Sequence, residues 1–320
     1  MHRGNVFLSV VVPMYNAGEY ISACIESIIS QDIPTDNYEI IVVNDGSTDN
    51  GLGIVQSYSE KYSFIRIITQ KNQGLSVARN TGIDNSWGDY IMFLDSDDWI
   101  KTNCFSEIKT HCIEDKLDVL RIGAANVLGT EIHKRYNLDN TLLIKGRSFF
   151  DNNTEVCAPF SICRRQLLLD HNLRFFPGIY HEDGEFTPRL YYYAERVGFL
   201  DDIIYYVRQT PNSITRSINI KKPLDLLVVM RRLHQFSISL SDAPSYFDDK
   251  ISSALNQAMT QALLMPESSQ NTINKAIIEN KDLYYHLVKS KLLRYKIEGL
   301  LLRAFPNRPL AVFKTLRHIH

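Results

Sequence analysis

The chain has 320 residues, 44% of them apolar and 22% charged, which is long for one simple domain, comfortable for two, and ordinary for a globular protein. A formal net charge of -1 sets up no global field toward nucleic acid or an acidic partner. The five cysteines (24, 104, 112, 157 and 163) contain no CxxC pair and have no histidine at zinc-finger spacing, so reduced, mostly structural thiols are expected.

The opening MHRGNVFLSVVVPMYN has a short apolar run closed at once by Pro13, which reads as a buried strand and not a signal peptide. No window approaches the roughly 18–20 apolar residues that span a bilayer. A soluble protein, or one lying on a membrane surface, is the expectation.

Residues 7–12 (FLSVVV) form a continuous apolar run typical of a parallel strand buried on both faces. After a turn at 13–18, Ile21, Ile25, Ile28 and Ile29 fall at helical spacing. EIIVVN (39–44) is a second buried strand, closed by the turn cluster DGSTDN. A helix over 51–62, a strand at 64–70, a Gly turn and helix from NQGLSVARNTGIDNS, and a strand at 90–95 (YIMFLD) follow. This β-α-β-α-β-α-β order predicts a parallel, right-handed, doubly wound sheet. After residue 100 the pattern predicts a helix at 103–116, a strand at 118–129 and a polar connection over 131–155. A strand or loop then leads into the helix RRQLLLDHN, followed by a helix near 184–196 and a strand near 198–207. From 222 the pattern is helical, with a polar break near 265–272, and a domain boundary is placed near 218.

Ligands of such sheets bind beyond the carboxyl ends of the strands. Three polar clusters lie there: Pro13–Asn16, Asn44–Asp49 and Asp95–Asp98. Asp95, Ser96, Asp97 and Asp98 crowd three carboxylates at the end of an apolar run, a set suited to a hard divalent cation that shares substrate phosphates. A solvated turn is the plainer reading, with Asp98 capping the segment after it. Asp45 followed by Gly46 can accept hydrogen bonds from a ligand while the backbone approaches closely, and Ser47 or Thr48 can equally cap the next helix. The segment is not GxGxxG.

In this order and spacing, SVVVPMYNAGEYISACIESIISQ, EIIVVNDGSTDN, NQGLSVARNTGI and YIMFLDSDDW resemble the nucleotide-binding half of family 2 glycosyltransferases, inverting enzymes of the GT-A fold. GIYHEDGEF (178–186) and YYVRQTPNSIT (205–215) are similar to segments of the branch that builds bacterial surface polysaccharides. The resemblance covers about two thirds of the chain. It implies an α/β, GT-A type, Rossmann-like, mostly parallel doubly wound sheet with a helical C-terminal region. Residues 1–218 would be catalytic, with 1–100 holding the nucleotide sugar and 101–218 the acceptor, and 219–320 would be helical. Pro13, Tyr15 and Asn16 would line the nucleobase, and Asp45 would accept from the uracil of a UDP-sugar. Arg79 would lie near ribose and phosphate, and Asp95 with Ser96 near the ribose or sugar. Asp97 would hold Mn2+ or Mg2+ bound to the pyrophosphate. Asp183 would be the base that deprotonates the acceptor hydroxyl. The plainer account of Glu182 and Asp183 is a helix N-terminus that favours acids. His181 and Glu182 could contact the acceptor, and Arg208 and Arg216 the diphosphate, since Arg suits bidentate phosphate contacts.

Residues 287–320 carry eight Lys/Arg and one acid, Glu298, with Leu292, Leu293, Ile297, Leu300, Leu301 and Phe305 along a helical stripe. An anionic membrane surface, packing on the catalytic domain and a dimer contact are all open for this helix. The resulting expectation is a metal-dependent inverting transferase acting on a saccharide or lipid-linked acceptor, in the cytoplasm, with peripheral contact on the inner membrane face as one option. The alternatives are a nucleotide-sugar-binding protein without transferase activity and a sugar-phosphate nucleotidyltransferase. The loop PMYNAGEY lacks the Arg or Lys that the latter enzymes use.

Overall fold

The computed structural model describes residues 6–136, 143–152, 157–209, 218–242 and 244–317. The chain divides into two compact units: Met1–Gly178 with Arg189–Ser213, and Ile179–Pro188 with Ile214–His320.

In the first unit, β1 (Leu8–Met14), β2 (Tyr38–Asn44), β3 (Ile65–Thr69) and β4 (Tyr90–Phe93) run parallel in the order β3-β2-β1-β4. They alternate with α1 (Ile21–Ile29), α2 (Gly51–Lys61) and α3 (Leu75–Asn85). Every residue of β1, β2 and β4 is buried, because helices cover both faces of the sheet. Val10, Val12, Ile40 and Val42 share one core with Ile21, Ile25 and Ile28 of α1. Ile41 and Val43 point the other way, against Ala78 of α3. The strand order reverses at β1, whose two neighbours are β2 and β4, and a ligand crevice forms at such a reversal.

Beyond β4 come β5 (Trp99–Ile100), α4 (Phe105–Glu114), β6 (Val119–Leu128), β7 (Glu131–Lys134), α5 (Gly146–Asn152), β8 (Ser161–Arg164) and α6 (Arg165–Asp170). The last residues of α7 (Glu182–Tyr193) and the strand β9 (Val197–Arg208) complete this unit. Among the described residues all nine strands join one mixed sheet, continuing β4-β8-β6-β9-β5 with β7 paired to β6. β8 runs antiparallel to β4 and β6, β9 parallel to β6, and β5 antiparallel to β9. The polar connection expected over 131–155 is corrected here: it contains the hairpin strand β7 and the helix α5. All four residues of β7 are exposed, so it carries no apolar pattern to read.

The second unit is helical: α8 (Lys221–Ile238), α9 (Pro244–Ala262), α10 (Glu267–Glu279), α11 (Tyr285–Lys289), α12 (Leu293–Ala304) and α13 (Pro309–Arg317), with the start of α7. The polar break expected near 265–272 is shorter, since α10 already begins at Glu267 behind Pro266. A proline before the first helical residue suits a helix start. Polar side chains knit these helices. Arg232 meets the fully buried Glu185 at 3.0 Å, and Arg231 pairs with Asp282 at 2.9 Å. The buried His286 bridges Asp248 and His234.

Glu298 is buried on α12 and accepts from Asn256 at 2.9 Å. Burial pushes its carboxyl up from 4.5 to about 7. A folded-state value above the unfolded one means that folding favours the protonated form. Stability is therefore greatest below the unfolded value and falls as pH climbs toward 7, by at most about 3 kcal/mol. Glu298→Gln, which keeps the neutral shape, should match wild type in urea unfolding at pH 5 and exceed it at pH 8. A constant difference across that range would refute the assignment.

Candidate functional site

The carboxyl ends of β1, β2, β3 and β4 bring four loops together, and side chains lock them. After β1, Asn16 takes a left-handed conformation (φ 50°), and its amide donates to Ser47 Oγ at 3.1 Å. Asn16 Oδ1 in return accepts from the Thr48 amide at 2.8 Å. Asp49 accepts from the amides of Gly18 (2.7 Å) and Gly51 (3.0 Å). Ser47 and Thr48 thus bind the loop after β1. The expectation that they cap α2 is corrected: Asn50 holds the cap position without a side-chain bond.

Asp45, buried at the end of β2, grips a third loop. Its Oδ1 accepts from Gln70 Nε2 (2.7 Å) and the Gln73 amide (2.9 Å), and its Oδ2 from the Gly74 amide (2.8 Å). Gly74 has φ 89°, a conformation open to glycine, and from it α3 starts. That helix delivers Arg79, 1% exposed, whose Nη2 donates to Asp95 Oδ1 at 2.9 Å. Losing Asp95 would leave the buried Arg79 charge without this partner, whereas Asp95 itself is partly open to water.

Asp95 to Asp98 form the turn between β4 and β5. The Tyr205 hydroxyl, on β9, accepts from the Asp95 amide (3.1 Å) and donates to Asp98 Oδ2 (2.8 Å). Asp98 Oδ1 accepts from the Arg208 amide (2.8 Å), and Arg208 Nε donates to the Asp97 carbonyl (2.9 Å). The Arg208 guanidinium lies 4.6 Å from the Trp99 ring centre and 5.3 Å from that of Tyr20. The expectation that Asp98 caps a helix is corrected: the next element is the strand β5, and the buried Asp98 clasps the turn to β9. Burial, then the charges of Asp95 and Asp97, push its carboxyl up to about 8. The Asp97 carboxyl is raised by burial and by Asp95 in the same way, against the pull of Arg208.

The structure therefore gathers Pro13, Tyr15, Asn16, Asp45, Arg79, Asp95, Ser96, Asp97 and Arg208 at one sheet edge. Pro13 is buried inside β1, while Tyr15 and Asn16 stand exposed past it. His181, Glu182 and Asp183 belong to the second unit. Glu182 and Asp183 open α7, as the helix-terminus reading expects. His181 just before it has φ 62°, and burial lowers its imidazole pKa, with Lys222 adding to the effect. Arg216 lies outside the described residues. Gln70 and Tyr205 are missing from the sequence expectations. A fully buried tyrosine needs a hydroxyl partner, and that rule could have flagged Tyr205 had its burial been legible.

Among the described residues no three His, Cys, Asp or Glu side chains converge as a metal cage. Asp95 and Asp97 nonetheless fit a hard cation of the Mg2+ or Mn2+ kind, which takes one or two carboxylates and fills its shell with phosphate oxygens and water. The raised Asp97 carboxyl supports that fit, since a neighbouring cation would relieve the crowded charge.

The reversal of strand order beside β1 puts this acidic, arginine-backed edge where open α/β sheets take their ligands. The family model described as glycosyl transferase family 2 matches residues 9–171, just over half of the chain, and the chain belongs to that family. An uncharacterized glycosyltransferase, YibD of Escherichia coli, is 31% identical over 220 residues, covering 65% of this chain and 63% of that protein. The chain spans less than two thirds of the length of this and several other curated relatives. The crystal structure of S. aureus TarS 1-349 in complex with UDP-GlcNAc superposes with a TM-score of 0.81 at 23% identity, covering 98% of this chain and 92% of that one. The mannosyltransferase PcManGT of Pyrobaculum calidifontis, in complex with GDP-Man and Mn2+, gives a TM-score of 0.54 at 15% identity, covering 98% and 87%. At these identities the structural likeness is one of fold: the GT-A type, with a helical C-terminal region.

Proposed function

We propose that the protein is an inverting, metal-dependent glycosyltransferase that moves a hexosyl or N-acetylhexosaminyl group from a nucleotide sugar to a hydroxyl of a saccharide or lipid-linked acceptor. The observation that carries this reading is the acidic turn Asp95–Asp98, tied to the buried Arg79 through Asp95 and to Arg208 through Asp97, at the carboxyl edge where the sheet order reverses. A UDP-sugar is the favoured donor, in keeping with the UDP-GlcNAc complex of the TarS neighbour.

Tyr15 and Asn16 flank the base, and Asp45, held in place by the 70–74 loop, offers it an acceptor. Arg79 neutralises Asp95 and so fixes that carboxylate toward the ribose. Asp97, with Asp95, would hold Mn2+ or Mg2+, which supplies positive charge to the departing diphosphate. Arg208 adds a cation on the same side, clamped between aromatic rings. In the transfer step the acceptor oxygen bonds to the anomeric carbon as the bond to the diphosphate oxygen breaks. The electron pair leaves with the diphosphate, and the acceptor proton passes to the Asp183 carboxylate.

Thermal unfolding with UDP-, GDP- and dTDP-sugars, in Mn2+ and in EDTA, tests the reading. One donor class near a hundred times its Kd should raise the midpoint by about 5 °C in Mn2+, and release of its nucleoside diphosphate should then require a saccharide acceptor. Absence of stabilisation by every nucleotide sugar would overturn it.

A further inference from the structure

We infer that the outward face of α12 is a docking surface for an anionic lipid bilayer. This deepens the reading above by naming where a lipid-linked acceptor would be met, and it stands on observations of the second unit alone.

The helix α12 has one buried face and, opposite it, an exposed apolar one. At 100° per residue, Tyr295, Glu298, Gly299 and Leu302 fall on one side, and all four are buried. A Cβ at Gly299 would lie 2.6 Å from Leu287 Cβ and 2.8 Å from the Val288 amide nitrogen, so this side is seated directly on α11. The opposite side carries Leu293, Ile297, Leu300 and Ala304 within an arc of about 60°. These residues face solvent: Leu293 is 71% exposed, Ile297 45% and Leu300 58%, with Phe305 at 57% just beyond. Large apolar side chains in a continuous exposed row mark an interaction surface.

The charges choose its partner. Arg294 flanks the row on one side and Lys296 and Arg303 on the other, all exposed. The only acid between 291 and 317 is Glu298, which is buried on the inner side. A second copy docking through the same face would set these cations against their own counterparts without an acid to pair them. An anionic headgroup layer satisfies the cations and takes the apolar row into its acyl boundary, which is how an interfacial helix lies. No helix of the described residues is long and apolar enough to cross a membrane.

Sedimentation of the full chain with phosphatidylcholine vesicles, with and without phosphatidylglycerol, tests this. Binding should require phosphatidylglycerol and weaken as salt rises. Leu293→Ser with Ile297→Ser and Leu300→Ser, and separately Lys296→Glu with Arg303→Glu, should each lower partitioning about tenfold or more. These are exposed positions, and an unchanged unfolding midpoint shows that each variant is folded. The inference fails if wild type ignores anionic vesicles, if it binds neutral ones equally, or if both variants bind as wild type does. It fails also if the wild type is a dimer that the triple serine variant dissociates while vesicles stay unbound. Vesicle binding needs neither donor nor acceptor. A protein inactive in transfer yet bound to vesicles leaves the docking surface standing, and the reverse result leaves the transferase reading standing.

Discussion

Asp183→Asn is expected to lower transfer by roughly 10²–10⁴-fold while the nucleotide-sugar Kd stays within about twofold of wild type. Asp183 lies in the first turn of α7, where the amide groups of the helix start favour an acid. Asparagine keeps the size and can still accept a hydrogen bond there, so the helix start survives. What it loses is the capacity to take a proton. A base acts on the acceptor hydroxyl and not on the donor, so the defect belongs in turnover and not in donor affinity. Single-turnover transfer at saturating donor, beside calorimetric titration of the same variant, separates the two. Transfer at near wild-type rate would remove Asp183 from the mechanism and leave the helix-terminus role alone.

Asp97→Ala carries the second large effect. Donor affinity measured in Mn2+ should fall to the value found in EDTA, while in EDTA the variant and wild type should bind alike. The thermal midpoint without metal should stay level or rise, because the substitution removes one of the carboxylates whose crowding raises its neighbours. Asp98→Ala is the contrasting case. It unties both the Tyr205 hydroxyl and the Arg208 amide, and should lower the midpoint whether metal is present or not. Unaltered donor affinity of Asp97→Ala in Mn2+ would show that Asp97 is not a metal ligand.

The donor half of the fold is legible in the sequence because its strands are long apolar runs buried on both faces, each followed by a helix with its own period. From 100 onward the strands are assigned by distant partners. β5 is two residues long and exists through pairing with β9 a hundred positions away, and β7 is exposed throughout. The site divides in the same way. Strand ends mark Asp45, Asp95 and Asp97, since topology alone places ligands there. The work of Asp98 is not legible in the sequence, because a clasp onto Tyr205 and Arg208 has no local signature. The grip of Asp45 on Gln73 and Gly74 is equally silent, being a contact between side chain and backbone across two elements.

The Asp98 clasp bears on how this edge can change in evolution. Tyr205 and Asp98 share a buried hydrogen bond, so a change at one is felt by the other: a lost hydroxyl leaves Asp98 with the Arg208 amide alone, and a lost acid leaves the hydroxyl with the Asp95 amide alone. Tyr15, exposed past the end of β1, has no such obligation and can be varied alone. In a library randomised at 98 and 205, folded survivors should keep compatible polar pairs, since two apolar residues would leave the Asp95 and Arg208 amides without acceptors, whereas position 15 should sort independently. Donor preference would then evolve by single steps around a doubly pinned turn.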